Sequence, residues 1–185
     1  MPYRLTKIYT RTGDEGSTTL RDQRLPKDDI LVEALGTIDE LNSSVGLITA
    51  LGVTNKEIAA CLTQIQHQLF DIGGELHCPQ YIKITSICVE FLESIIDKWN
   101  ATLTPLTEFV LPQGHVTCVA AHFARTVCRR AERRLVTLNR EVPLNNPEIL
   151  RYINRLSDFL FVLARILTHE HTEKEILWNH VRAKK

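Results

Sequence analysis

The sequence predicts an all-α fold, a bundle of about five helices, on three observations. Apolar residues recur at three- and four-residue spacing through most of the chain, strand-like alternation is nowhere sustained, and prolines or glycines separate the periodic stretches. The chain has 185 residues and 21.1 kDa, so we expect a single domain over 1–185, with an N-terminal loop over 1–27 and the helical bundle over 28–185. A content of 44% hydrophobic and 24% charged residues excludes wholesale disorder.

From Tyr3 to Pro26 no helical period exists, and Gly13, Gly16, Pro26 and a run of Thr and Ser supply turn chemistry, so this stretch is expected to be a loop. Ile30, Ala34, Leu35, Ile38, Leu41, Val45 and Ile48 then predict a first amphipathic helix over 28–51. Thr54-x-x-Glu57 has the form of a capping box, and Ile58, Cys61, Leu62, Ile65, Leu69, Ile72 and Leu76 continue the period behind it. Pro79 closes that stretch, after which Thr85 offers a cap to a shorter stripe of Cys88, Leu92, Ile95 and Trp99. The segment 102–114 carries Pro105 and Pro112 and is expected to connect. Val116, Ala120, Phe123, Val127, Ala131, Leu135 and Leu138 form a fourth stripe that Pro143 must end or follow. Asn146-Pro147 supplies a cap and a first-turn proline for the fifth, along Leu150, Ile153, Leu156, Leu160, Leu163 and Leu167.

Lys plus Arg and Asp plus Glu both number 22, so no global field draws this chain to nucleic acid or to an anionic membrane. The charge is unevenly placed, however. Arg125, Arg129, Arg130, Arg133, Arg134 and Arg140 are opposed only by Glu132 before Glu141. The five cysteines are irregularly spaced without a Cys-x-x-Cys, which favours reduced thiols and a cytoplasmic location. The most apolar late stretch, Phe159 to Leu167, is too short to span a membrane and contains Arg165, and the N-terminus has no apolar leader core.

Four constellations carry chemistry. In Thr10-Arg11-Thr12-Gly13-Asp14-Glu15-Gly16-Ser17-Thr18-Thr19, two glycines let backbone N–H groups approach an anion and the hydroxyls add neutral donors. A polyphosphate cradle and a Gly-Asp-x-Gly surface turn both fit it, but a Walker loop does not, since no Gly-Lys-Ser/Thr follows. On the fourth stripe, His122, Arg125, Arg129 and Glu132 share one face flanked by Arg130 and Arg133; this is either a clamp for a multiply charged group or a solvated basic face. Gly36, Asp39, Ser43 and Gly46 line a small-residue face of the first helix, where a buried Asp39 would need an arginine partner and an exposed one would not. Asn154, Asp158, Phe161 and Arg165 share a polar and aromatic face of the fifth; Asn154 can bond a ribose or phosphate, Asp158 can instead tie Arg155 or Arg151 within the helix, and Phe161 alone is more often core than a ligand contact. No Glu-x-x-His, His-Glu-x-x-His or Cys-His signature exists, and no metal ligand set is assigned.

In their order along the chain these segments resemble the PduO-type ATP:cob(I)alamin adenosyltransferases, or corrinoid adenosyltransferases. The likeness rests on Tyr9-Thr10-Arg11-Thr12-Gly13-Asp14-x-Gly16, Arg24-x-Pro26-Lys27-Asp28-Asp29, Gly36-Thr37-x-Asp39-Glu40-Leu41-Asn42, Phe109-Val110-Leu111-Pro112-x-Gly114, Arg125-x-x-x-Arg129-Arg130-Ala131-Glu132-Arg133 and Tyr152-x-Asn154-Arg155-Leu156-Ser157-Asp158. The resemblance implies a homotrimeric five-helix bundle that binds ATP and cobalamin between subunits. It further implies that Thr10, Arg11, Thr12, Gly13, Thr18, Thr19 and Lys27 contact ATP, completed by Arg129, Arg130, Glu132, Arg133 and Asn154, with Mg²⁺ on the phosphates. Asp39 and Arg125 match an ion pair that crosses the subunit interface beside the corrinoid, and Phe109 and Phe161 match positions near its lower face. Arg129, Asp39, Arg125 and Phe109 are thus the expected catalytic set. Gln113 stands where the family usually has glycine, and Glu15 where it often has lysine.

The implied reaction is in-line attack of Co(I) on the ribose C5′ of ATP, which expels triphosphate. It needs an external reductant and no protein nucleophile, only alignment and stabilisation of charge on the leaving group. Two other classes remain: an ATP-binding sensor or scaffold bundle without turnover, and a nucleic-acid-binding helix at 125–134, against which net neutrality and few interleaved aromatics count.

Overall fold

The computed structural model describes residues 8–180; the start of the expected loop, before residue 8, and residues 181–185 lie outside them. The apolar stripes become five helices, α1 (Ile30–Ala50), α2 (Lys56–His77), α3 (Ser86–Asn100), α4 (Val116–Glu141) and α5 (Glu148–Glu170). Ahead of them lies a hairpin of β1 (Ser17–Leu20) and β2 (Gln23–Pro26), antiparallel, with Ser17 opposite Pro26 and Leu20 opposite Gln23. The all-α expectation is therefore corrected to a mostly helical fold with one two-stranded sheet. Four-residue strands are too short to register a period of two. Their turn consists of Arg21 and Asp22 at φ 50° and 59°, a conformation usually announced by Asn-Gly or Asp-Gly.

The packing order across the bundle is α2, α1, α4, α5, α3, so α4 is held between α1 and α5. Buried apolar residues from all five helices form one cluster, including Leu41, Leu62, Leu92, Leu135 and Leu160. Its central position forces α4 to bury a wide arc: Thr117, Cys118, Ala121, His122, Ala124 and Cys128 face inward, most of them small enough to let neighbouring helices come close. Two members of the expected fourth stripe, Val116 and Phe123, consequently lie outside, 49% and 53% exposed.

The helix starts refine the boundaries. Asp29 Oδ1 accepts from the Leu31 N–H at the start of α1. For α2 the cap is Asn55 and not Thr54, since Asn55 Oδ1 accepts from the N–H groups of Glu57 and Ile58. Thr85 occupies the cap position of α3 without a side-chain bond. At α5 the Asn146 side chain accepts from the Glu148 N–H at 3.0 Å, while Pro147 holds the boundary position.

Asn146 also belongs to a buried polar knot that joins the end of α2, the 78–85 connection and the start of α5. The Glu75 carboxylate, 5% exposed, accepts from the N–H groups of Lys83 at 2.7 Å and Ile84 at 2.6 Å and from Asn146 Nδ2 at 2.7 Å. Asn146 Nδ2 also donates to the Ile84 carbonyl at 2.8 Å. Removing the carboxylate strands several donors away from water, and an unsatisfied buried donor costs about 1–3 kcal/mol. Glu75→Ala is therefore expected to lower the unfolding free energy by about 3 kcal/mol in urea titration, whereas a loss below about 1 kcal/mol would show the knot to be dispensable.

Candidate functional site

The stretch ahead of α1 is closed on itself. The Gly16 N–H donates to the Gly13 carbonyl at 3.3 Å, and the Lys27 N–H to the Gly16 carbonyl at 2.9 Å. Gly16 has φ 76°, which an L side chain rarely adopts. Gly13 lies close against Lys27: a Cβ there would stand 3.3 Å from Lys27 Nζ. The fold thus brings the Gly13–Gly16 turn and the Lys27 ammonium together, as an anion cradle requires. Thr10 and Thr12 hydroxyls are bonded at 2.8 Å, Arg24 donates to the Thr12 carbonyl, and Thr19 Oγ1 accepts weakly from Arg24 at 3.4 Å. Arg11, at φ 62°, lies 5.6 Å over the Tyr9 ring. The hairpin is anchored by Arg21, whose Nε and Nη2 donate to the Leu76 carbonyl at 3.0 and 2.6 Å.

On α4 the arginines separate into two sets. Arg130 pairs with Glu40, and Arg134 pairs with Glu33 at 3.1 Å. These pairs run in opposite order along the two helices, so α1 and α4 are antiparallel and the start of α1 lies beside the late turns of α4. Arg133 donates to the Arg129 carbonyl at 2.9 Å on its own helix. Among the described residues, the side chains of Arg125, Arg129, Glu132 and Asn154 make no hydrogen bond or ion pair, and none links this helix face to Thr10–Thr19 or Lys27. The loop set and the helix set of candidate nucleotide residues are thus not bonded to each other among the described residues.

The expected partnership of Asp39 with an arginine of α4 is likewise not made within the chain. Asp39 is exposed, and it lines a largely apolar groove of about 370 Å³ between α1 and α2 with Leu35, Phe70 and Gly73. Asp158 pairs with Arg155 at 2.8 Å, the intrahelical alternative. Asn154 borders a different recess, between α3 and α5, with Glu93 and Arg155. Phe161 is half-buried, 6.1 Å from the His122 ring, and Phe109 is 77% exposed on the connection after α3. Gln113 needs no left-handed backbone: Gly114, at φ 110°, supplies it.

The sequence reading missed the C-terminal segment. Arg165, placed with Asn154 and Phe161 on one face, is 4% exposed and forms a buried pair with Glu175, Nε to Oε1 at 2.5 Å. The Trp178 N–H donates to the Phe109 carbonyl at 2.7 Å and the Leu111 N–H to the Ile176 carbonyl at 2.8 Å, so the tail pairs with the Phe109 loop like a strand. The signal available was Glu175, the acid ten positions after a deeply placed arginine.

Burial governs the titrating groups. It raises the thiols of Cys61, Cys118 and Cys128, so none of these is an activated nucleophile. Burial and then the neighbouring Arg129 lower Arg125 from its usual value, and Arg125 Nε has no partner. His122, 2% exposed and with Nδ1 unpaired, is lowered to about 4 by burial and then by Arg125. Its neutral form belongs to the fold and its charged form to the unfolded chain. Its contribution to stability is therefore intact above 6.5 and is lost as pH falls from 6.5 toward 4, amounting to about 3 kcal/mol at the lower end. Imidazole NMR of the seven histidines should show one resonance, absent in His122→Asn, that stays neutral until about pH 4; ordinary titration near 6.5 would refute this environment.

Comparison with known proteins matches these features as a set. The family model for cobalamin adenosyltransferase matches residues 8–167. A cobalamin adenosyltransferase of Cupriavidus metallidurans is 45% identical over 183 residues, covering 98% of this chain and 99% of the relative. The corrinoid adenosyltransferase of Bacillus subtilis is 44% identical over 167 residues, 87% of this chain and 86% of its own. Among solved structures, a variant PduO-type ATP:corrinoid adenosyltransferase from Lactobacillus reuteri, complexed with cobalamin and ATP, superposes with a TM-score of 0.87 at 36% identity, over 94% of this chain and 100% of that one. The match takes in the hairpin, the Arg-bearing α4 and the α5 motif together, and on that basis the chain belongs to the cobalamin adenosyltransferase family.

Proposed function

We propose that this protein transfers the 5′-deoxyadenosyl group of ATP to the cobalt of a cob(I)alamin-type corrinoid and releases triphosphate. The observation that carries the reading is a set of cations without side-chain partners among the described residues, Arg125 and Arg129 on α4 and Lys27 beside the Gly13 turn, in a chain similar to a protein complexed with cobalamin and ATP. In the reaction the Co(I) electron pair forms the cobalt–carbon bond at C5′ as the C5′–oxygen bond breaks and triphosphate departs. Cobalt enters as substrate, and an external reductant must supply it as Co(I). The protein holds the reactants in line and meets charge growing on the leaving oxygens.

Thr10, Arg11, Thr12, Gly13, Thr18, Thr19 and Lys27 hold the triphosphate on one side, and Arg129, Arg130, Glu132, Arg133 and Asn154 complete the nucleotide site. The absence of direct bonds between the two sets supports their meeting on a shared ligand at the boundary of two protomers of a homotrimer. Asp39 and Arg125, each unpaired among the described residues, are suited to pair across that boundary beside the corrinoid, with Phe109 and Phe161 near its lower face. Among the described residues no cluster of three or more His, Cys, Asp or Glu suits a metal ion, so Mg²⁺ would be carried on the ATP phosphates, with Glu132 the acid on the clamp face. Such an ion would neutralise part of the leaving group's charge.

Residues 1–185 act as one domain in this reading, 1–27 as the nucleotide arm and 28–185 as the bundle. The free cysteines support a cytoplasmic location, and no helix among the described residues is long and apolar enough to cross a membrane. Pairing of Arg130 and Arg134 with α1 glutamates leaves fewer cations for a nucleic-acid backbone.

Arg129→Ala should reduce adenosylcobalamin formation in an anaerobic assay with ATP and reduced cobalamin by about 10²-fold, with helical circular dichroism and trimer mass unchanged. Turnover like the unaltered protein's would remove Arg129 from the clamp. Asp39→Asn should raise the KM for corrinoid and leave ATP affinity unchanged, and an unaltered corrinoid KM would refute the cross-boundary pair.

A further inference from the structure

We infer that Arg165 and Glu175 form a positioning pair that sets the place of Phe109, an inference that rests on the corrinoid-facing role given to Phe109 above. Phe109 is 77% exposed, and among the described residues its one ring contact is Trp178, 6.3 Å between centroids and itself 40% exposed. Packing therefore does not fix this aromatic; its backbone must. That backbone lies between two ties that lead to the same guanidinium. Arg165 Nη2 donates to the Thr104 carbonyl at 2.7 Å, where the loop leaves the bundle. Arg165 Nε and Nη2 also donate to the two carboxylate oxygens of Glu175 at 2.5 and 3.1 Å. From Glu175 the tail runs directly into the strand-like pairing, Ile176 accepting from the Leu111 N–H and Trp178 donating to the Phe109 carbonyl.

A fork with several fixed donors suits this task, because one side chain can hold a carbonyl and a carboxylate at once. The pair is almost fully withdrawn from water, Arg165 at 4% and Glu175 at 9% exposure. Buried ion pairs are weak sources of net stability compared with apolar packing of the same volume. Here the pair gives the loop and the tail a fixed relation. Glu173 adds a second staple by accepting from the His115 N–H at 2.8 Å, which holds the far end of the loop where α4 begins. The tail thereby spans the loop from Thr104 to His115, with Phe109 at its outer point. Arg165 and Glu175 act through this framework and touch no substrate themselves.

The test compares Glu175→Ala, Phe109→Ala, their combination and Trp178→Pro, which deletes the N–H given to the Phe109 carbonyl from an exposed position and keeps the buried pair. Tail docking is read separately in Glu175→Ala carrying Trp99→Phe, so that Trp178 is the remaining tryptophan. The inference expects Glu175→Ala and Trp178→Pro each to lower kcat/KM for corrinoid by about tenfold to a hundredfold, with the ATP dissociation constant unchanged. It also expects greater acrylamide quenching of Trp178 in Glu175→Ala, and no further loss when Glu175→Ala is added to Phe109→Ala. If Glu175→Ala does not fold, Trp178→Pro carries the test. Normal corrinoid kinetics in Glu175→Ala or Trp178→Pro beside an impaired Phe109→Ala would overturn the positioning pair alone. Normal kinetics in Phe109→Ala would overturn both the pair and the role of Phe109.

Discussion

The middle position of α4 is the constraint on which the rest of the molecule depends. Packed between α1 and α5, it must bury most of its circumference and has only a narrow strip left for chemistry. Small residues at Ala120, Ala121, Ala124, Cys128 and Ala131 meet the first demand. The strip beside them holds Arg125, Arg129, Arg130, Arg133 and Arg134. Two of these are used structurally, Arg130 and Arg134 pairing with Glu40 and Glu33 to lock the antiparallel contact with α1. Among the described residues the rest pair with no acid, and Arg125 is half-withdrawn from water with its Nε unpartnered. Leaving such a charge unpaired is costly, which suits the ligand-facing role proposed for it.

The other half of the candidate site uses backbone instead of charge. The Gly13–Gly16 turn and Lys27 are preassembled by two main-chain hydrogen bonds, and the hairpin behind them is fastened to the end of α2 through Arg21. The loop is therefore positioned before any ligand arrives, which lowers the ordering cost of binding an anion. The absence of an activated thiol among the buried cysteines agrees with a displacement in which the corrinoid brings its own nucleophile.

The helices were legible in the sequence because each carries an apolar stripe at the helical period, and the α2 stripe from Ile58 to Leu76 is buried throughout. The fourth stripe was read correctly from Val127 onward and wrongly at Val116 and Phe123, since hydrophobicity alone cannot show that His122 and Thr117 are the inward pair. The hairpin was hidden by its short polar strands and an Arg-Asp turn. In the site, the loop composition and the Arg-rich face could be seen as motifs, but their partners could not. Asp39 turns to the α1–α2 groove and, among the described residues, Arg125 pairs with no acid, so the partners of these two cannot be read from one chain. The tail at 173–178 has no period, and only its hydrogen bonds reveal that it holds the Phe109 loop.

In the function proposed above, the nucleotide arm of one protomer and the α4 arginines of its neighbour grip the same triphosphate. Subunit complementation measures this directly: Lys27→Ala and Arg129→Ala chains, each assayed alone, are then unfolded together and refolded into mixed assemblies. A site shared between protomers predicts that the mixture recovers a substantial part of the adenosyltransferase rate, because some boundaries then combine an intact arm with an intact helix. A mixture no more active than its separate parents would contradict the account.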